Sequence, residues 1–141
     1  MSSLIGIVRA GEFRMMASNE ALPVPEKGFV NVVFQIMMNG VSVQLVSSSP
    51  QKGFELKLPP MALPRFNGLL MQSKDGIVES FSLTATLANG WPLSSWLKFD
   101  PETQTFSASA IPEGTSDLQI RVRVSQKGQL IDEVAFTIDL P

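Results

Sequence analysis

The sequence contains no cysteine, no histidine and no tyrosine. The absence of cysteine excludes disulfide bridges, thiolate nucleophiles and cysteine-based metal sites. The absence of histidine removes the commonest general base and the commonest metal ligand. Serine clusters at residues 47–49 and 94–95 therefore have no imidazole to activate them as nucleophiles. We expect no catalytic, cofactor-binding or metal-ligating residues, and hence a protein that is not an enzyme.

Charged residues are few and of balanced sign. The 141 residues include 11 lysines and arginines against 13 acidic residues, which gives a formal net charge of −2. Nucleic-acid binding depends on clustered basic side chains that displace counterions. The densest basic pair, Arg121 and Arg123, lies two residues apart and is interpreted as one solvated strand face. We therefore expect no nucleic-acid partner.

Long hydrophobic runs are also missing. No apolar stretch approaches the roughly 20 residues that a helix needs to span a bilayer. Residues 1–16 have neither a basic region ahead of an apolar segment nor a small-residue cleavage site, so they do not resemble a signal peptide. We expect no membrane span. The expected location is extracellular or on the cell surface if the chain is a piece of an exported protein, and is unknown otherwise.

What the sequence does contain is β-strand periodicity, clearest from residue 29 to residue 46. Apolar residues alternate on both sides of Asn39-Gly40, a pair that favours the type I′ hairpin turn because both central residues need positive φ. A two-residue loop there predicts three cross-strand pairs on one apolar face. These are Met38 with Val41, Ile36 with Val43 and Phe34 with Leu45.

A second hairpin is predicted at the end of the chain, with its turn at Lys127-Gly128. Regular pairing would oppose the apolar Val122 to the charged Glu133. A bulge near Asp132 and Glu133 would return Val134 to the apolar face. As the only adjacent acidic pair, Asp132 and Glu133 point to opposite faces of a strand, so we interpret them as a solvated bulge rather than a catalytic pair.

Further strands are predicted between the hairpins, at residues 54–58, 78–87, 97–99 and 104–108. Residues 61–76 are less regular and could form one or two helical turns. Short strands with closely spaced turn signals indicate an all-β protein, an antiparallel β-sandwich of Ig-like or cadherin-like type with an additional N-terminal hairpin. Residues 1–50 are assigned to the hairpin segment and residues 51–141 to the sandwich domain.

Residues 81–108, FSLTATLANGWPLSSWLKFDPETQTFSA, resemble the cadherin-like, dystroglycan-type (Ig-like) modules of bacterial surface proteins. The resemblance extends over about residues 54–141, whereas residues 1–50 show no match. It implies a structural core motif that consists of Trp96, Leu97, Phe99, Asp100, Pro101 and Phe106. In this motif the aromatic and leucine side chains enter the core, and Asp100-Pro101 forms a turn.

The resemblance raises two further points. Trp91 follows the Asn89-Gly90 turn, and it is either a local packing residue or an exposed contact residue.

Related modules often bind calcium through clustered acids, but here no D-x-D motif occurs and the acids are dispersed. Because calcium takes six to eight oxygen ligands, calcium is not favoured and no cofactor is expected.

Two functions remain open from the sequence. The first is a non-catalytic structural or binding module that is a repeat unit of a bacterial cell-surface or adhesin-like protein. Its partner would be a protein or a surface carbohydrate. The second is a small stand-alone β-protein that acts in protein–protein assembly through its N-terminal hairpin. Homo-oligomers and neighbouring domains of a longer chain are further candidate partners. The apolar face of the hairpin is too large to stay in water, so it must cover the sandwich or a second copy.

Overall fold

A computed structural model describes residues 12–72 and 81–141 of the chain. These residues form an all-β antiparallel sandwich of two sheets, which confirms the predicted fold class. The strands are β1 (Arg14–Ala17), β2 (Phe29–Met38), β3 (Val41–Pro50), β4 (Lys52–Lys57), β5 (Phe81–Leu87), β6 (Lys98–Asp100), β7 (Thr105–Ala110), β8 (Leu118–Gln126) and β9 (Gln129–Asp139). A 3-10 turn at Pro60–Ala62 and helix α1 (Pro64–Gln72) lie between β4 and β5.

The larger sheet has the strand order β1-β3-β2-β9-β8-β5, and the smaller sheet has the order β4-β7-β6. The inner face of the larger sheet carries the alternating apolar residues that pack on the smaller sheet and on α1. Phe136 of β9 joins the two sheets, because its ring stacks on Phe34 of β2 at 4.6 Å and meets Phe106 of β7 edge to face at 5.2 Å. The opposite side of the larger sheet is called the outer face below.

The first hairpin has the predicted turn and register. Asn39 and Gly40 have φ values of 52° and 78°, as a type I′ turn requires. All three predicted cross-strand pairs are present in the β2–β3 ladder. The alternation of apolar and polar residues and the turn chemistry therefore specify the same register.

The second hairpin turns at Lys127-Gly128, and its bulge lies one residue earlier than the sequence suggested. Ser125 pairs with Leu130 and Val124 pairs with Asp132, so Ile131 is the extra residue. The bulge restores the pairing of Val122 with Val134, and both side chains are buried. A regular ladder from the Lys127-Gly128 turn would pair Val124 with Ile131, and the bulge pairs Val124 with Asp132 instead.

The bulge also gives Asp132 a structural role. Its position opposite Val124 places it on the inner face, where α1 packs against β9. Its Oδ2 accepts hydrogen bonds from the backbone N–H groups of Arg65 at 2.9 Å and Phe66 at 3.2 Å. These groups belong to the first turn of α1, which has no intrahelical partner for them. Asp132 is half-buried beside the bulge, and it also caps a helix 66 residues away, a role that the interpretation as a solvated bulge did not include.

Helix α1 satisfies the expectation of helical structure within residues 61–76, and it buries Phe66 completely against the core. The predicted strand at 78–87 is present as β5 from Phe81 onwards, and residues 78–80 lie outside the described residues.

The N-terminal hairpin is part of the sandwich rather than an appendage. Strand β2 pairs with β9 over four residue pairs, from Asn31–Asp139 to Phe34–Phe136. The hairpin residues that enter the shared core are Val30, Val32, Phe34, Ile36 and Leu45. The apolar face of the hairpin therefore covers the C-terminal strands, one of the two arrangements expected for it. A division of the chain at residue 50 stays a prediction.

Candidate functional site

The residues of the core motif lie on β6, β7 and the turns beside them. Leu97 and Phe106 are buried, and Trp96 and Phe99 are half-buried and pack against the core. Phe99 and Phe106 contact each other across the β6–β7 ladder, with ring centroids 4.5 Å apart. Asp100 is exposed, and its Oδ1 accepts a hydrogen bond from the Glu102 amide at 3.0 Å. Pro101 is exposed in the same turn.

Trp91 lies in the loop between β5 and β6, and 69% of its surface is exposed. Its backbone holds the loop, because its N–H donates to Asn89 Oδ1 at 3.0 Å and its carbonyl accepts from Leu87 N–H at 2.8 Å. The high exposure supports the interpretation of Trp91 as a contact residue.

The acidic residues are not all dispersed. Asp117, just before β8, lies next to Asp139 at the end of β9, since the adjoining residues Leu118 and Ile138 are paired. Glu133 points to the outer face, where its Oε2 is 2.6 Å from Arg123 Nε and 3.7 Å from Arg121 Nε. Within residues 12–72 and 81–141 no three acidic side chains converge as a metal site would require. Asp75 and Glu79 lie outside these residues.

The outer face carries a cleft of about 520 Å³ that crosses four neighbouring strands. The bottom of the cleft is formed by short apolar side chains of the two central strands, Val33 on β2 and Ala135 on β9. Short side chains at these positions leave space above the sheet. Leu22 overhangs one side, from a loop whose Pro23 carbonyl accepts a 2.9 Å hydrogen bond from Asn31 Nδ2. The polar lining consists of Gln35, Gln44, Asp117, Gln119, Thr137 and Asp139. This space is called the outer-face cleft below.

Gln44 is a polar residue that is buried at the outer-face cleft. Only 8% of its surface is exposed, and its side-chain oxygen Oε1 is buried without a hydrogen-bond partner. A buried amide oxygen left without a partner costs roughly 1–3 kcal/mol. Ser47 and Ser49, whose hydroxyls are also unpartnered, lie on the inner face of β3 and do not line the cleft. Among the described residues that line the cleft, Gln44 is thus the one with a buried, unpartnered side-chain oxygen.

Asp117 and Asp139 form a carboxyl pair at the far end of the outer-face cleft. Partial burial raises the pKa of Asp139, and the charge of Asp117 and a hydrogen bond to its side chain raise it further. Asp117 is exposed, and its Oδ1 accepts a hydrogen bond from the Leu140 amide at 2.9 Å. Two hydrogen-bonded carboxyls lie closer together than the separation of about 5 Å or more that glycoside hydrolysis uses. The pair is suited to hydrogen bonding rather than to that reaction.

The cleft residues were not among the predicted site residues, because they come from distant parts of the chain. Gln44, Thr137 and Gln119 each occupy a polar position in an alternating strand, which by itself indicates only a solvated face. They meet because β2 pairs with β9, a contact between residues more than 100 positions apart. One feature of the sequence could have indicated the cleft. Three strands carry an amide, and not a charged side chain, at an outer-face position, namely Gln35, Gln44 and Gln119.

Comparison of the chain with family models, with curated proteins and with solved structures gave no match. The resemblance of residues 54–141 to cadherin-like modules therefore stays a prediction. In the part of the chain that the structure describes, no helix has the length and apolarity needed to cross a membrane.

Proposed function

We propose that this protein is a non-catalytic binding module and that the outer-face cleft is its binding surface. The observation that carries this proposal is the buried, unpartnered Oε1 of Gln44. Folding alone gives no reason to keep such a group, because an apolar residue of the same shape avoids the desolvation cost. Unsatisfied buried polar groups in stable proteins are often retained for function at the expense of stability.

The setting of Gln44 supports the same conclusion. The volume of the cleft, about 520 Å³, lies within the range typical of small-molecule sites. Two other depressions, of about 300 and 480 Å³, lie beside helix α1, and none of the three unpartnered buried oxygens belongs to their lining. The sequence has neither histidine nor cysteine, so binding without chemistry fits its residue types best.

Fragment screening by NMR tests the proposal. Spectra of the ¹⁵N-labelled full chain would be recorded with a library of small polar fragments, and the shifted amides would be mapped onto the fold. We expect the hits to concentrate around Gln44, Ala135 and Thr137. Hits scattered over the surface, or an absence of hits at the cleft, would contradict the proposal.

A stability measurement provides a second and independent test. Gln44→Met keeps the length of the side chain and removes the unpartnered oxygen. If Gln44 serves binding rather than folding, this variant should be more stable to denaturant than the wild type by about 1 kcal/mol. A loss of stability would show that Gln44 has a structural role.

The resemblance of residues 54–141 to modules of bacterial surface proteins supports a place for this module on the cell surface, within an adhesin-like protein. The length of the native polypeptide and its recovery from surface or cytosolic fractions would decide this. A long exported chain with repeated modules is expected.

A second candidate function is assembly through the N-terminal hairpin. Strand β1 is an edge of the larger sheet, and edge strands offer unpaired backbone groups to a partner strand. Met15 and Val41, 58% and 60% exposed, extend the inner face of the sheet beyond its covered part. Light scattering would detect concentration-dependent dimers, and Met15→Lys should abolish them. A monomer at all concentrations would exclude self-assembly.

A further inference from the structure

We infer that the outer-face cleft binds a neutral polyhydroxyl ligand, an oligosaccharide of a few sugar units. This inference rests on the proposed function, because it names the ligand class of the same cleft.

The charge of the lining excludes an anionic ligand. Among the described residues that line the cleft, two carry carboxyl groups, Asp117 and Asp139, and none is a lysine or an arginine. The nearby Arg121 is already engaged, since its Nη2 donates to the Ala88 carbonyl at 2.8 Å and its Nε lies 3.7 Å from Glu133. A phosphate, sulfate or uronate would therefore meet repulsion at one end of the cleft without a free cation to offset it.

A cationic ligand fits only the end of the cleft that holds Asp117 and Asp139. The remaining polar lining consists of three primary amides and one hydroxyl, which carry no charge. Each amide presents two N–H donors besides its acceptor oxygen, and an ammonium or guanidinium group, which can only donate, offers these donors no acceptor. Most of the lining therefore favours an uncharged partner.

Hydroxyl groups match this lining because each one both donates and accepts a hydrogen bond. The buried Oε1 of Gln44 needs a donor, the amide N–H groups of Gln119 can donate to a ligand oxygen, and Gln35 keeps a second amide N–H beside the one that donates to Ser42 Oγ at 3.3 Å. The carboxyl oxygens of Asp139 accept further hydroxyl donors. A chain of sugar hydroxyls satisfies all of these groups at once.

The shape of the cleft favours an extended ligand over a single sugar. Gln44 on β3 and Gln119 on β8 are separated by three strand spacings, or about 14 Å. The floor between them is apolar at Val33 and Ala135, and Leu22 stands over one side. The C–H faces of sugar rings can lie on this floor while their hydroxyls reach the polar rim.

The test uses ¹H–¹⁵N spectra of the full chain titrated with neutral trisaccharides, namely cellotriose, maltotriose, xylotriose and laminaritriose. Trilysine and trigalacturonate serve as cationic and anionic probes. We expect saturable shifts at Ala135 and Thr137 with at least one neutral trisaccharide, and none of comparable size with the charged probes.

Three variants locate the binding. Gln44→Met and Thr137→Val should each weaken the affinity at least tenfold. Thr84→Val makes the same change at an exposed outer-face position on β5, beyond the cleft, and should leave the affinity unchanged. A native-like spectrum of each variant shows that folding is retained.

Each other outcome overturns the inference. Shifts with trilysine alone would assign the cleft to a cationic ligand, and shifts with trigalacturonate alone would contradict the charge argument. Saccharide binding that survives both Gln44→Met and Thr137→Val would place the site elsewhere. If no saccharide binds while fragments still concentrate at the cleft, the ligand class is wrong and the proposed function stands. If fragments avoid the cleft as well, both fail.

Discussion

The two tryptophans illustrate how similar residues in one loop region differ in their surroundings. Trp96 packs half-buried against the core, whereas Trp91 is 69% exposed. We expect Trp96→Ala to destabilise the protein by about 3 kcal/mol, the low end of the range for large-to-small core changes. Trp91→Ala should change stability by no more than about 0.5 kcal/mol. Denaturant midpoints of the two variants provide the measurement, and the reverse order would contradict the assignment.

The carboxyl pair predicts a particular dependence of stability on pH. Because folding raises the pKa of Asp139, the folded state holds its proton more tightly than the unfolded state does. The pair therefore stabilises the fold at low pH, and this contribution is lost as the pH rises through the pKa of the folded state. Above that pKa the charged Asp139 carboxylate is repelled by the charge of Asp117.

Asp139→Asn should accordingly raise the melting temperature at pH values above the folded-state pKa of Asp139, and the gain should shrink as the pH falls from that raised pKa to the ordinary pKa of an aspartate. Melting curves of wild type and variant over this pH range provide the measurement, with Glu102→Gln in the exposed β6–β7 turn as the matched control. A gain that is equal at all pH values would show that the pair does not titrate as described.

Among the structural elements, the hairpins could be predicted and the helix cap could not. The Asn39-Gly40 turn and the alternation around it lie within 18 residues, so local chemistry determines that hairpin. The helix at Pro64–Gln72 begins after Leu63, whose side chain has no oxygen that could cap it. The capping carboxylate belongs to Asp132 on β9. The sequence showed only that regular pairing would set Glu133 opposite Val122, and this mismatch predicts a bulge but not the contact of Asp132 with the helix.

Asp132→Ala should therefore destabilise the protein by about 1–2 kcal/mol, because it leaves two helix N–H groups without an acceptor. Asp132→Asn should retain most of the stability, since asparagine is an equally good capping residue and only the charge is lost. Chemical denaturation of both variants is the measurement. If the asparagine variant loses as much as the alanine variant, the charge and not the capping hydrogen bonds matters.

For the molecule as a whole, we predict that calcium does not raise the melting temperature. Asp117 and Asp139 supply too few oxygens for an ion that takes six to eight, and one oxygen of Asp117 is already hydrogen-bonded to the Leu140 amide. A ligand that binds only the native state raises its stability by about 2.7 kcal/mol at a hundredfold excess over Kd. Melting curves with millimolar calcium, against sodium chloride of matched ionic strength, would reveal such a gain. A specific rise with calcium would contradict the prediction.

The outer-face cleft depends on the assembly of the whole larger sheet, and for this reason the sequence did not reveal it. Alternation predicts which residues of β3, β8 and β9 face outwards, but it does not predict which strands are neighbours. The insertion of the N-terminal hairpin beside β9 is a long-range contact, and no local signal in residues 1–50 indicates it. The same contact connects the site to the stability of the fold.

Because the N-terminal hairpin shares its core with the rest of the molecule, we expect a chain that begins at residue 51 to be unstable. Five buried hairpin residues enter the shared core, and burial of each large apolar side chain stabilises by roughly 1.5–3 kcal/mol. Their summed contribution is comparable to the whole stability of a typical domain, about 5–15 kcal/mol, so residues 51–141 alone should not fold cooperatively. NMR spectra should show poor dispersion. In the full chain, Phe34→Ala should cost about 3–5 kcal/mol, whereas the outer-face neighbour Gln35→Ala should cost little. A cooperative melt of residues 51–141 at the temperature of the full chain would show instead that these residues form an independent domain, as the division at residue 50 predicts.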